Sequence, residues 1–240
     1  MMTFSPAAPT QPQPTPSVMA STPKTLHELG APMIDLPPQP STVVEGTVKQ
    51  YYPSGALQKV EHYEAGQLNG TCMGFYENGQ LAYEIPYEHD LCCGLARTFY
   101  ENGQLKCEQA ITYDEHGRSC GYVRTYYEHG QLSSSSLHHH GHVTTKQFYP
   151  SGAILLTSTI IDGLTEGTTT WYYESGAIYR TMQFSHSLIE GTALEYYENG
   201  QLKRATTYRH DLLHGPDLCY NPQGSLTAAA YYVQGQLSPA

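Results

Sequence analysis

The chain has 240 residues and a formal net charge of −10, from 12 Lys+Arg against 22 Asp+Glu. That balance argues against nucleic-acid binding, which needs a basic stripe, and against simple adsorption to anionic membranes. Leu, Ile, Val and Phe are too few for an ordinary core, yet there are 21 tyrosines, and they recur at a fixed period.

Residues 1–42 hold 10 of the 16 prolines, and Gln, Ser, Thr and Ala fill most of the rest. Such a segment cannot bury enough apolar surface to offset its ordering entropy, so a disordered, partly polyproline-like tail is expected. The first 23 residues carry no charge, and Pro6, Pro9, Pro12, Pro14 and Pro16 interrupt them. With neither a basic n-region nor an apolar h-region, a cleaved signal peptide is not expected. No run reaches the ~20 apolar residues of a membrane helix, and the expected location is the cytoplasm.

Residues 43–240 read as a repeat array. The stretches Tyr51-Tyr-Pro-Ser-Gly-Ala-Leu57, Phe75-Tyr-Glu-Asn-Gly-Gln-Leu81 and Phe99-Tyr-Glu-Asn-Gly-Gln-Leu105 align, and five more copies follow. The eight turn glycines are Gly55, Gly79, Gly103, Gly130, Gly152, Gly176, Gly200 and Gly224, mostly 24 residues apart. A second glycine opens most copies: Gly46, Gly70, Gly94, Gly121, Gly167, Gly191 and Gly215, with Val143 in that place in the fifth. Each copy predicts two strands: one from the opening glycine into an aromatic pair, then a tight Gly turn, then one starting at a fixed Leu or Ile. A second turn follows an aromatic or large residue such as Tyr63, Tyr87, Phe184, Tyr208 or Tyr232. Tyr, Phe, Thr and Val suit strands, and no stretch shows a helical period. The expected fold is all-β: an elongated antiparallel β-meander or solenoid of eight ~24-residue hairpins, about 16 strands and ~75 Å long.

The unit Tyr-Tyr-Glu-Asn-Gly-Gln-Leu-Lys, followed by a Tyr and a Gly-containing turn, resembles the MORN-repeat variant, and in bacteria the YwqK-type antitoxin family. The resemblance covers residues 46–239 and implies an elongated antiparallel meander. It implies a non-enzymatic protein-binding scaffold, an antitoxin or immunity component masking a partner, or a lipid- or envelope-associated scaffold. Two adjacent copies depart from the pattern. The third has three extra residues around Asp114–Cys120, and the fourth loses two and ends in Ser133–His142.

The aromatic pair supplies the candidate contacts. Position one is Tyr51, Phe75, Phe99, Tyr126, Phe148, Tyr172, Tyr196 and Tyr220; it accepts Phe, so it is assigned to the packed seam. Position two is Tyr52, Tyr76, Tyr100, Tyr127, Tyr149, Tyr173 and Tyr197, broken only by Asn221. Adjacent strand residues face opposite ways, so position two offers an amphipathic, hydroxyl-bearing row for a partner. Packing alone would explain both rows equally. Trp171, the single Trp, occupies a mostly polar position, as a packing filler or a contact anchor.

The turn acids Glu77, Glu101, Glu128, Glu174 and Glu198 would stand about 9.6 Å apart, in a setting that does not split their pKa values. They read as a solvated edge or a face for a basic partner, not as catalysts. His138, His140 and His142 are weak metal candidates: they could share one side if extended, but no acid or Cys lies beside them in sequence. No phosphate loop, nucleophile elbow or Cys-His dyad is present, and no cofactor is expected. Cys93 and Cys120 fall at equivalent places two strands apart, too far to bridge.

Overall fold

The computed structural model describes residues 45–238. The proline-rich segment 1–42 and its boundary lie outside these residues. The described chain is one antiparallel sheet of 21 strands and contains no helix. Sixteen strands form the eight hairpins: β1 (Gly46–Tyr51) with β2 (Leu57–Glu64), β4 (Gly70–Phe75) with β5 (Leu81–Glu88), β7 (Ala96–Phe99) with β8 (Leu105–Tyr113), and β9 (Ser119–Tyr126) with β10 (Leu132–His139). Then come β11 (His142–Phe148) with β12 (Ile154–Ile161), β14 (Gly167–Tyr172) with β15 (Ile178–Ser185), β17 (Gly191–Tyr196) with β18 (Leu202–Arg209), and β19 (Leu212–Tyr220) with β20 (Leu226–Val233). The other five are two-residue strands: β3 (Gln67–Leu68), β6 (Leu91–Cys92), β13 (Leu164–Thr165), β16 (Leu188–Ile189) and β21 (Gln236–Leu237).

Most short strands arise from the opening glycine. Gly70, Gly167 and Gly191 have φ of 110°, 73° and 82°, so the backbone leaves the extended region there and pairing is interrupted. Where Val143 replaces that glycine, β11 runs unbroken from His142 to Phe148, as do β9 through Gly121 and β19 through Gly215, whose φ of 129° and 122° are larger.

The two turns of each copy differ. In the first, the Tyr52 amide donates to Ala56 O at 2.8 Å and the Gly55 amide to Tyr52 O at 2.9 Å. This is a three-residue loop closed by a left-handed glycine. The second is mostly a two-residue turn with both φ positive, as at Ala65 (50°) and Gly66 (82°), which matches strand twist. His89–Asp90, His186–Ser187 and His210–Asp211 adopt it without glycine, at about 1–2 kcal/mol per left-handed residue. Bonds to the preceding copy offset this: Asp90 Oδ1, Ser187 Oγ and Asp211 Oδ1 accept the amides of Leu68, Thr165 and Ile189 at 2.7, 2.9 and 2.6 Å.

Each hairpin also carries a β-bulge beside its first turn, as where Gln50 faces Lys59 but Tyr51 faces Leu57. A bulge adds right-handed twist, here once per copy.

The residue two after the opening position is buried in seven copies: Cys72 is 1% exposed, Ala96 2% and Thr169 4%, with Val123, Thr145, Ala193 and Asp217 also buried. Across the hairpins they face Ile85, Gln109, Met182, Ser136, Ser158, Thr206 and Ala230. The core is therefore a mixed ladder in which small and hydroxyl side chains such as Ala96, Ala193, Thr145 and Ser158 alternate with larger apolar ones such as Ile85, Leu156, Ile160 and Met182. On the same face the opening glycines lie opposite large rings: Gly46 and Tyr63, Gly70 and Tyr87, Gly167 and Phe184, Gly191 and Tyr208, Gly215 and Tyr232. Where the glycine becomes Val143, its opposite is Ile160 and not a ring. Strand alternation puts the position-one aromatics on the other face, paired with the fixed Leu or Ile, so the expected packed seam of position-one rings is corrected. None of them is buried, and Tyr51 is 58% exposed.

Candidate functional site

The seven position-two tyrosines act together, but toward their own chain. Tyr52 OH donates to Phe75 O at 2.8 Å, Tyr76 to Phe99 O at 2.7 Å, and Tyr100 to Tyr126 O at 2.7 Å. Tyr127, Tyr149, Tyr173 and Tyr197 do the same to Phe148, Tyr172, Tyr196 and Tyr220 at 2.7, 2.8, 2.8 and 2.9 Å. Each hydroxyl thus joins its copy to the next. The hydroxyl row read as an offer to a partner is used within the array, while the part-exposed rings still line the surface. Burial pushes the phenols of Tyr76, Tyr100, Tyr127, Tyr149 and Tyr173 up from their ordinary value. Asn221 stands in this place in the eighth copy, and its Oδ1 accepts the amides of Gln223 and Ser225 at 3.1 and 2.9 Å.

The first-turn edge is stitched a second time. Asn78 and Asn102 Nδ2 donate to Glu101 O and Glu128 O at 3.0 Å each, and Asn199 Nδ2 to Pro222 O at 3.3 Å. The sequence reading missed this use of the turn Asn, whose signal was its co-occurrence with Glu-x-Gly. The bonds hold the turns of Glu77, Glu101 and Glu128 in line, and tie the turn of Glu198 to the next; Glu174, in a turn with Ser175 in the Asn place, is exposed like the other four.

Charge is treated differently on the sheet faces. Glu84 and Arg97 pair at 2.6 Å, Glu108 and Arg124 at 3.0 Å, Lys59 and Glu61 at 2.9 Å. Asp217 sits in the buried ladder because Arg204 binds both its oxygens, at 2.8 and 2.7 Å, and Thr206 donates at 2.9 Å. Arg204 holds its carboxyl below the usual range. The five turn glutamates take part in none of the ion pairs found among the described residues. Glu61, Glu84, Glu108, Glu195 and Asp217 within the sheet have cationic partners; the turn glutamates do not.

Trp171 faces Arg180 across the β14–β15 pair, with the guanidinium 6.0 Å from the ring centroid. Arg180 in turn lies 3.8 Å from Glu195. The ring is half-buried against these groups.

The histidine stretch is not extended. It reverses at His140–Gly141, where φ is 49° and 86°. His138 is buried with Nδ1 3.0 Å from Ser119 Oγ, and burial lowers its pKa. His140 Nδ1 lies 2.9 Å from Asp114 Oδ2 and 3.5 Å from Cys120 Sγ, while His142 is exposed opposite His139. The three imidazoles therefore do not converge, and no group of three or more His, Cys, Asp or Glu among the described residues is placed to hold a metal. All six cysteines are free, Cys93 and Cys120 included.

The MORN repeat variant model matches five segments: residues 44–65, 68–89, 93–114, 165–186 and 189–210. These are five of the copies described above; the irregular middle of the array falls outside the matches. A comparison with curated proteins finds no match. Among solved structures, the chain is similar to a crystal structure of TcdB2-TccC3 without its hypervariable C-terminal region, at 12% identity over 79% of this chain and 12% of that one, TM-score 0.23. It is also similar to the Photorhabdus luminescens Tc holotoxin pore carrying TccC3-D651A, at 14% identity over 78% of this chain and 13% of that one, TM-score 0.18. The chain thus spans about an eighth of those structures.

Proposed function

We propose that this is a non-enzymatic, cytoplasmic repeat protein that binds a basic protein partner along its first-turn edge. The observation that carries this is the row of exposed glutamates without cations, held in line by Tyr and Asn bonds between copies. A fixed anionic row pre-organises its charge and steers a basic partner. The five MORN-variant segments support a binding role. The finer reading is an antitoxin or immunity-type component that masks its partner by occlusion, without chemistry. Capture by the full chain from native lysate at ~0.15 M salt, where weak surface attraction is already screened, tests it. One stoichiometric basic protein is the expected result. Recovery of lipid alone, or robust flotation with vesicles of neutral or anionic lipid, would favour an envelope scaffold instead.

A further inference from the structure

Beside the glutamate edge, on the face opposite the buried ladder, runs a second continuous feature. From the Tyr51–Leu57 pair to the Tyr220–Leu226 pair, every hairpin places one aromatic directly across from one Leu or Ile. The stripe is partly open to solvent: Tyr51, Ile178 and Leu226 are 58%, 43% and 55% exposed, and its other thirteen side chains are half-buried. No element among the described residues crosses it.

The stripe has a period. One aromatic recurs every two strands, about 9.6 Å at the usual strand spacing. A polyproline II helix repeats every three residues at 3.1 Å rise, about 9.3 Å per turn. The two differ by only about 0.3 Å per repeat, so a proline at every third residue meets successive rings. An α-helix has a pitch of 5.4 Å and a strand repeats its face at about 6.7 Å; neither falls in step with the rings. Aromatic-lined surfaces take proline-rich segments because these are already extended and lose little entropy on docking.

The neighbouring charge completes the match. The turn glutamates Glu77, Glu101, Glu128, Glu174 and Glu198 follow the position-one aromatics by two residues, so an anion outside any ion pair stands beside the stripe in five of the eight copies, with proline in the other three. We infer that the aromatic stripe and the glutamate edge together form a docking site for a proline-rich polyproline II segment of the partner, with proline at every third position and Lys or Arg beside the prolines. This rests on the basic-partner reading and adds the partner's backbone form and its spacing.

The test uses the full chain and a short fluorescent peptide with proline at every third position and arginines between, read by anisotropy. Its counterpart has every proline replaced by alanine at unchanged charge. Roughly tenfold weaker binding of the alanine peptide is expected. Phe99→Leu and Phe148→Leu, checked for unchanged melting, should weaken the proline peptide and leave the alanine peptide unaffected. Equal binding of the two peptides would overturn the polyproline assignment while leaving the acidic edge intact. No saturable binding of the proline peptide would overturn it too, whereas lysate capture judges the basic-partner reading separately.

Discussion

The Tyr100 hydroxyl donates to the Tyr126 carbonyl at 2.7 Å across 26 residues, whereas Tyr127 reaches Phe148 across 21 and the other five position-two tyrosines span 23. The insertion and the deletion of the middle copies therefore leave the tyrosine column intact. The extra length is taken up at the far end of the third hairpin, in the loop Asp114–Arg118, where Asp114 N donates to Arg118 O at 3.0 Å.

Removing one such hydroxyl should loosen one junction. Tyr149→Phe keeps the ring and leaves the Tyr172 carbonyl without its donor, at a cost of about 1 kcal/mol. Urea unfolding measures it. Because stability in arrays is nearest-neighbour, the loss should be of similar size for Tyr76→Phe.

Gly74→Ala should be more damaging than its size implies. A Cβ there would meet the Tyr83 ring at 2.0 Å, and the ring is buried directly across the strand pair. Overpacking of this kind costs about 1–3 kcal/mol. Adding Tyr83→Leu should recover part of the loss, and thermal melts of the single and double variants decide it.

Arg204 and Asp217 give an acid-sensitive element. The folded-state pKa of Asp217 is depressed, so its contribution is present above the unfolded value near 3.9 and is lost as pH falls through the lower folded value. Asp217→Asn should cost about 1–2 kcal/mol at pH 7, discounted because Arg204 is partly exposed, and should flatten the acid limb of stability. Denaturation midpoints from pH 7 to pH 2 check both.

Tyr83 supplies the alkaline counterpart. Burial pushes its phenol up to about 12, as it does for Tyr87. A raised pKa contributes stability that is complete below the unfolded value near 10 and is lost as pH rises toward 12. Ultraviolet titration should show two tyrosines ionising late, and Tyr83→Phe should remove one of them.

How far the sequence foretold this follows from the side chains. Glycine spacing exposed eight hairpins because positive φ has few other solutions, and Gly55 and its counterparts adopt it. The buried ladder was not legible. Ala96, Thr169 and Ala193 look like surface residues, and in a single sheet hydrophobicity does not tell which face its own neighbours cover. Position one was therefore assigned to the seam. The tyrosine hydroxyls were noticed as a row, but only the register showed each one ending on the next copy's carbonyl. Non-glycine turns such as His89–Asp90 were placed correctly as turns, while their bonds to the preceding copy depend on long-range stacking.

Lysate capture with the full chain beside a variant carrying Glu77→Gln, Glu101→Gln, Glu128→Gln, Glu174→Gln and Glu198→Gln decides whether the glutamate edge binds a basic partner. These side chains are exposed and unpaired with cations, so the variant should melt like the parent. A basic protein should come down in stoichiometric amount with the parent and be lost with the variant. Equal recovery by both chains would rule out the glutamate edge as the binding surface.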